Sequence, residues 1–266
     1  MILSHVNEQP MSVMEHAGFA DEIRNLSKSY GKKVALNNIN LKFDNGLYGL
    51  LGPNGAGKST LMNIITDNLK ADNGEILWNG MDYQKLGVKY REILGYMPQQ
   101  QGLYNGFTGK RFLNYIAVLK DIPKKEILLQ IEESAKKVNL QNELDKKINM
   151  YSGGMKQRLL IASCILGNPK LIIFDEPTAG LDPKERVRVK KLMQELSSKS
   201  IVIIATHIVP DIENIAKEIV ILKEGVLIEK NTPEKLIEKY APNGDLEDVY
   251  MNIFENKEEN SFEKNN

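Results

Sequence analysis

Three groups of residues in this sequence have the types and spacing to do chemistry. The first is Gly52, Pro53, Asn54, Gly55, Ala56, Gly57, Lys58, Ser59 and Thr60, which satisfies the pattern GxxxxGK[ST]. Glycines let such a loop curl until successive amides face inward, and the dipole of a following helix adds positive potential at the same place; phosphate oxygens suit that concavity. Lys58 would reach the β- and γ-phosphates of a nucleotide. The Ser59 hydroxyl is a candidate ligand for Mg2+, which prefers hard oxygen donors and bridges phosphates. The second group is Asp175 and Glu176, which close the apolar run Leu171 to Phe174. At the carboxyl end of a parallel strand, Asp175 suits a magnesium ion through a coordinated water, and Glu176 suits positioning and polarising the water that attacks a phosphoryl group. Taken alone, two acids at a strand end are equally well explained as a solvated loop; a phosphate loop upstream favours the catalytic reading. The third is His207, which follows Ile201 to Ala205 and Thr206 and so emerges at the same sheet edge. A lone histidine is more often structural, and the residues by themselves leave a γ-phosphate role open.

These groups need a scaffold, and the apolar pattern describes one. Val34 to Phe43 and Leu47 to Leu51 read as strands, the second running into the glycine-rich turn and then a helix from Lys58 to Leu69. A hairpin follows around Glu75 to Asp82, with Trp78 as a packing residue. From about 108 to 150 apolar residues recur at three- and four-residue spacing, through Phe112, Ile116 and Leu119 and then Ile127, Ile131, Ala135 and Val138, which predicts a helical subdomain; Pro123 sits where its second helix begins. Leu171 to Phe174 and Ile201 to Ala205 are too short for helices and flank a helical segment, Lys184 to Leu196, as buried parallel strands with a crossover would. A last β pair, Glu218 to Leu222 and Val226 to Glu229, precedes a helix near Thr232 and Pro233. The fold class is therefore α/β. Residues 1–21, which include His5 and His16, read as a poorly ordered extension, and the charged, Asn-rich end from Glu255 as disordered.

Composition narrows the function. The 266 residues, 42% of them hydrophobic, suffice for a substantial core. Thirty-five basic and 35 acidic side chains cancel, so the overall field that would draw the chain to nucleic acid is missing. The single cysteine, Cys164, has no partner for an internal disulfide. No stretch approaches the roughly 20 apolar residues of a membrane span, and the N-terminus lacks the pattern of a secretory signal.

With Tyr151, Ser152, Gly153, Gly154, Met155, Lys156, Gln157 and Arg158 added, the sequence resembles the ATP-binding cassette (ABC) family, whose SGGQ-like signature lies upstream of the second acidic strand. The resemblance spans Glu22 to about Tyr240. It implies a P-loop NTPase fold with a mixed-sheet core, an antiparallel β subdomain and a helical subdomain, occupying 22–240 and followed by a tail at 241–266. It also implies that Tyr30 stacks on adenine, that Gln99 senses magnesium and the transporter interface, and that His207 contacts the γ-phosphate. Ser152, Gly153 and Gly154 would complete the ATP site of an opposite subunit, with Asp182 bracing the dimer interface. The signature turn would also make sense as a plain serine cap on a helix running to Gly167, and the two readings are compatible. Two departures stand at the signature's ends, Tyr151 for leucine and Met155 for glutamine.

The function this implies is a Mg2+-dependent ATPase that dimerises on ATP to drive separate transmembrane permease subunits, peripheral at the cytoplasmic face of the cell membrane. The closest subgroup is that of ABC-2-type exporter ATPases of the drug, bacteriocin and lantibiotic type, given Tyr151 to Arg158, Thr206 to Val209 and Leu246 to Tyr250, although Pro210 stands where that group often has an acid. The second cassette could be an identical copy or a different chain. The alternative, a soluble ABC ATPase acting on ribosome or DNA, usually carries two cassettes or a long coiled coil; this chain has one phosphate loop and no extended heptads.

Overall fold

The computed structural model describes residues 20–99 and 102–255. The extension expected at 1–21 lies outside the described residues except for its last two, and the disordered end expected from Glu255 lies outside them after Glu255 itself. The chain starts with β1 (Ala20–Tyr30) and β2 (Lys33–Asp44), which pair antiparallel, and continues into β3 (Gly46–Leu51) and α1 (Lys58–Ile65). Next come β4 (Asn73–Trp78) and β5 (Met81–Asp82), two short helices α2 (Tyr83–Leu86) and α3 (Val88–Glu92), and β6 (Leu94–Met97). The helical subdomain follows as α4 (Gly109–Leu119) and α5 (Lys124–Lys137), leading to α6 (Gly153–Ile165), β7 (Leu171–Asp175), α7 (Pro183–Ser197) and β8 (Ile201–Ala205). The hairpin β9 (Glu218–Lys223) and β10 (Val226–Asn231) and the helices α8 (Pro233–Tyr240) and α9 (Leu246–Phe254) complete it.

Two sheets result. A four-stranded antiparallel sheet has the order β2-β1-β4-β5, and a six-stranded one the order β10-β9-β3-β8-β7-β6, parallel throughout except for β10 at its edge. The central strands read as unbroken apolar runs because both faces are covered. Alternate residues divide between two cores: Leu47, Leu51, Ile172, Phe174, Val202 and Ile204 pack on the side of α4 to α7, while Leu50, Leu171, Ile173, Ile201 and Ile203 pack with α1 and the antiparallel sheet.

Local chemistry sets the element ends. The helix expected to reach Leu69 stops at Ile65, because Thr66 donates its hydroxyl back to Met62 O and Asp67 takes a left-handed φ of 58°. Pro123 falls one residue before α5, where its fixed φ of −53° costs no helical amide bond. Lys120, at the end of α4, turns its ammonium onto the carbonyls of Leu94, Cys164 and Leu166 at 3.2, 3.2 and 2.8 Å, so it caps the C-terminal end of α6 and ties the helical subdomain to β6. Burial pushes the pKa of Lys120 down and that of the Cys164 thiol up to about 12, so the cysteine is inert at neutral pH. The tail expected from 241 begins with α9, whose N-terminus carries a reciprocal cap between Asp245 and Asp248 and whose Leu246 and Val249 join the core.

One buried group works against the fold. Asp21 is completely buried between Phe43 and Trp78 in β1, both its carboxylate oxygens lack a hydrogen-bond partner among the described residues, and burial pushes its pKa up to about 7. The unfolded chain ionises near pH 4 and the folded one near 7, so stability falls as pH rises between those values and the penalty is complete above them. Asp21→Asn should therefore stabilise the chain by on the order of 3 kcal/mol at pH 8 and by little at about pH 4, as read by urea denaturation at the two pH values.

Candidate functional site

The carboxyl ends of three adjacent strands set the site. In the parallel register, Leu50 of β3 and Asp175 of β7 both lie opposite Ala205 of β8. The next residues along each strand are therefore the start of the phosphate loop, Glu176, and Thr206 with His207. The loop turns into α1 at Gly57, whose φ of 105° is left-handed and whose Cβ, were there one, would lie 2.6 Å from Ala35 O; only glycine fits on both counts. No side chain caps the start of α1. Its first amides remain available to an anion, which is what a phosphate site requires.

Tyr30, half exposed at the end of β1, lines one cleft with Lys33, Ala35 and residues 53–60. The cleft measures about 180 Å³, and a larger one of about 830 Å³ shares Pro53 to Ala56 with it, so the loop faces open space on both sides. Ser152, Gly153, Gly154 and Asp182 do not line it.

Around the loop the charges converge. The Lys58 ammonium donates to Gly52 O and Pro53 O, folded back onto its own loop. Burial lowers the Lys58 pKa, while the charges of Glu176 and Asp175 act the other way, which places both acids close to it. Burial and then the charge of Glu176 push the Asp175 pKa up, opposed by a hydrogen bond from the Gln99 amide and by Lys58. Gln99 thus meets Asp175 as β6 ends beside β7. Glu176 is buried, and three of the roughly four acceptor positions of its carboxylate are taken, which leaves one on Oε2. Oε2 accepts from the Thr206 hydroxyl at 3.0 Å; Oε1 accepts from the His207 amide at 3.0 Å and from its ring Nδ1 at 2.7 Å. Since a carboxylate accepts, the His207 ring carries its proton on Nδ1. The ring itself is 69% exposed beyond that bond.

The signature turn lies on another part of the surface. Ser152 caps α6 by accepting from the Met155 amide at 3.2 Å, and Ser152 and Gly153 are exposed. Asp182 caps α7, accepting from the Glu185 amide at 3.0 Å. Between the two, Leu181 approaches Gly154, and the loop carrying Leu181 is held by a buried hydrogen bond from Thr178 to Asp211. Ser59, Asp175 and Gln99 carry the hard oxygen donors that magnesium prefers, and Gln99 meets Asp175 through its main-chain amide; the described residues hold no cluster of three or more His, Cys, Asp or Glu that would cage a metal unaided.

Comparison with known proteins agrees with this geometry. Residues 36–179 match the family model described as ABC transporter. The chain belongs to the ABC transporter family. This cassette is 35% identical over 224 residues to an uncharacterised ABC transporter ATP-binding protein, YxlF, of Bacillus subtilis, covering 83% of this chain and 74% of that one. It is 32% identical over 240 residues to the lantibiotic transport ATP-binding protein SrtF of Streptococcus pyogenes, covering 89% and 99%. A solved ATP-binding subunit of an ABC transporter superposes with a TM-score of 0.79 at 27% identity, covering 87% of this chain and 98% of that one. A dimeric bacterial cassette in a post-hydrolysis state with ADP and Pi superposes at 0.72, also at 27% identity, covering 80% and 98%. The P-loop ABC fold is thus established, and the cassette is an ATP-binding, ATP-hydrolysing subunit of a transporter.

The departure at Tyr151 has a structural counterpart. The Tyr151 ring is buried, its hydroxyl donates to Glu143 O at 2.7 Å, and a Cβ on Gly109 at the start of α4 would lie 2.3 Å from the Tyr151 hydroxyl oxygen. A side chain at 109 would therefore displace the Tyr151 hydroxyl from its bond to Glu143 O. Gly109→Ala should lower stability by about 2 kcal/mol, and Tyr151→Leu in the same chain should recover most of it. Thermal denaturation of the two single variants and the double variant measures this coupling.

Proposed function

We propose that this cassette pairs with a second cassette, closing ATP between the phosphate loop of one and the signature turn of the other, and that this closure drives a separate membrane-spanning permease that exports its cargo. The observation that carries the reading is the split arrangement: Tyr30 and Lys58 line one open cleft, Asp175 and Glu176 act on the charge of Lys58 and Gln99 meets Asp175, while Ser152, Gly153 and Asp182 neither line that cleft nor take part in those contacts. The dimeric cassettes among the solved relatives support a two-cassette assembly. The lantibiotic transport protein, matched over nearly its whole length, supports export. No helix of the described residues is long and apolar enough to cross a membrane, and in this reading the crossing belongs to the permease, with the cassette bound at the cytoplasmic face. A soluble role on ribosome or DNA is not favoured, since these relatives are transport proteins by name.

Each residue then has a task. Tyr30 offers its exposed ring to adenine, residues 52–60 hold the phosphates, and Lys58 exchanges its two loop carbonyls for phosphate oxygens. Ser59, Gln99 and Asp175, the last through water, would hold Mg2+, which supplies charge neutralisation on the phosphates. Glu176 orients and polarises the attacking water, and His207, fixed by Glu176 through Nδ1, extends its exposed ring toward the γ-phosphate. The exposed amides at the start of α6 would meet the partner's γ-phosphate, so loss of that phosphate would release the pair.

Specific Mg2+-dependent ATPase activity should rise with protein concentration, as a site shared between two copies requires. Glu176→Gln should lower turnover by about a hundredfold or more, keep ATP binding and accumulate an ATP-bound dimer on size exclusion. Undiminished hydrolysis would remove Glu176 from the reaction. Lys58→Ala should weaken ATP binding by at least about tenfold in a direct titration, and unchanged affinity would overturn the phosphate-loop assignment.

A further inference from the structure

Gln157 is a half-buried polar residue of the signature helix to which the reading above gives no part. It lies on α6, just over one turn beyond Ser152, and its side chain leaves that helix to reach the loop after β7. Its Nε2 donates to Glu176 O at 3.1 Å and to Pro177 O at 3.0 Å. Two carbonyl acceptors on one atom settle the orientation of the amide, because its oxygen in that place would face two other oxygens.

The peptide it grips is strained. Glu176 has a φ of 52°, a left-handed conformation that costs a residue with a side chain about 1 kcal/mol. Such a conformation persists only where surrounding bonds hold it. The Glu176 amide donates to Ala205 O at 2.9 Å, and its carboxylate is held by Thr206 and His207. Its carbonyl accepts from the Ala179 amide at 3.3 Å and from Gln157. Without Gln157 the carbonyl side of the peptide retains only the longer bond.

We propose that Gln157 is a positioning residue for hydrolysis: by holding the main chain of Glu176 and Pro177 it sets the carboxylate that orients the attacking water. The inference rests on Glu176 having that role. It gives the signature helix two duties. The first turn of α6 faces the partner cassette's nucleotide, and its second turn fixes the water-orienting residue of its own subunit, so a shift of the helix at one site is felt at the other.

The test compares the full-length chain with Gln157→Leu, which removes both donors at similar volume, and Gln157→Glu. The glutamate places a carboxylate against two carbonyls at high pH and regains one donor when protonated. Gln157→Leu should lower kcat about tenfold with KM for ATP within about twofold, because Tyr30 and Lys58 are untouched. The kcat of Gln157→Glu relative to the parent should fall as pH rises from about 5.5 to about 8 while its KM for ATP and its far-UV circular dichroism stay those of the parent, a split that a general loosening of the structure would not produce. In the nucleotide-free protein, amide exchange at Ala179 should be faster in Gln157→Leu, a reading independent of turnover. A kcat for Gln157→Leu within twofold of the parent, a pH-independent ratio for Gln157→Glu, or unchanged exchange at Ala179 would each overturn the proposal. Glu176→Gln, run alongside, separates the two claims: full activity there defeats the role of Glu176, whereas its inactivity beside an active Gln157→Leu defeats only the role of Gln157.

Discussion

The register of β3, β8 and β7 is the constraint on which the rest of the structure depends. Leu50, Ala205 and Asp175 stand in one row across the sheet, so three loops leave the same edge at the same height. A slip of one residue would invert every side chain of a strand between the two cores, placing Phe174 where Ile173 belongs; burial on both faces forbids it. The hydrophobic pattern therefore fixes where the charged residues emerge. Lys58, Asp175 and Glu176 are close enough for each to shift the titration of a neighbour, although well over a hundred residues separate the lysine from the acids in sequence.

That proximity carries costs which the nucleotide is suited to relieve. Burial disfavours the charge on both Lys58 and Asp175, and Lys58 satisfies its donors on its own loop carbonyls. Phosphate oxygens would replace neutral acceptors with charged ones, and a cation beside Asp175 would offset the charge that burial penalises. The pull of Thr206 and His207 on Glu176 differs in kind. It fixes a buried carboxylate near Lys58, and it leaves an exposed imidazole anchored at one nitrogen.

Much of this was legible in the sequence. The phosphate loop shows in its letters and in the strand and helix around it, and β7, β8, α7 and the β9–β10 hairpin show in apolar runs and spacing. Other elements escaped for physical reasons. Strand β1 pairs with β2 through several register shifts, which blur the alternation that marks a strand. Strand β6 has four residues, one of them Gly95, whose absent Cβ makes room for Cys164 O; so short a run carries no period. Helix α9 was hidden in a charged tail, although its Asp245 to Asp248 cap could have marked it. The bonds of Gln157 and the fit of Tyr151 against Gly109 join segments distant in the chain, and no local pattern announces them.

Those two long-range fits bear on how a departure from a family pattern should be weighed. Tyr151 looks like a weakening of the signature when it is compared letter by letter with leucine. In the fold it fills a space that Gly109 leaves open and bonds Glu143 O, so it ties α4 and the segment before the signature to the start of α6. The helix that follows is held at its other end by Lys120 and in its middle by Gln157. A helix fixed at three places to three different segments moves as one body. Under the proposed two-cassette arrangement this is the property required of α6: a phosphate contact at Ser152 and Gly153 can shift the whole helix, and with it the main chain of Glu176, where a loosely attached helix would absorb the displacement in its first turn.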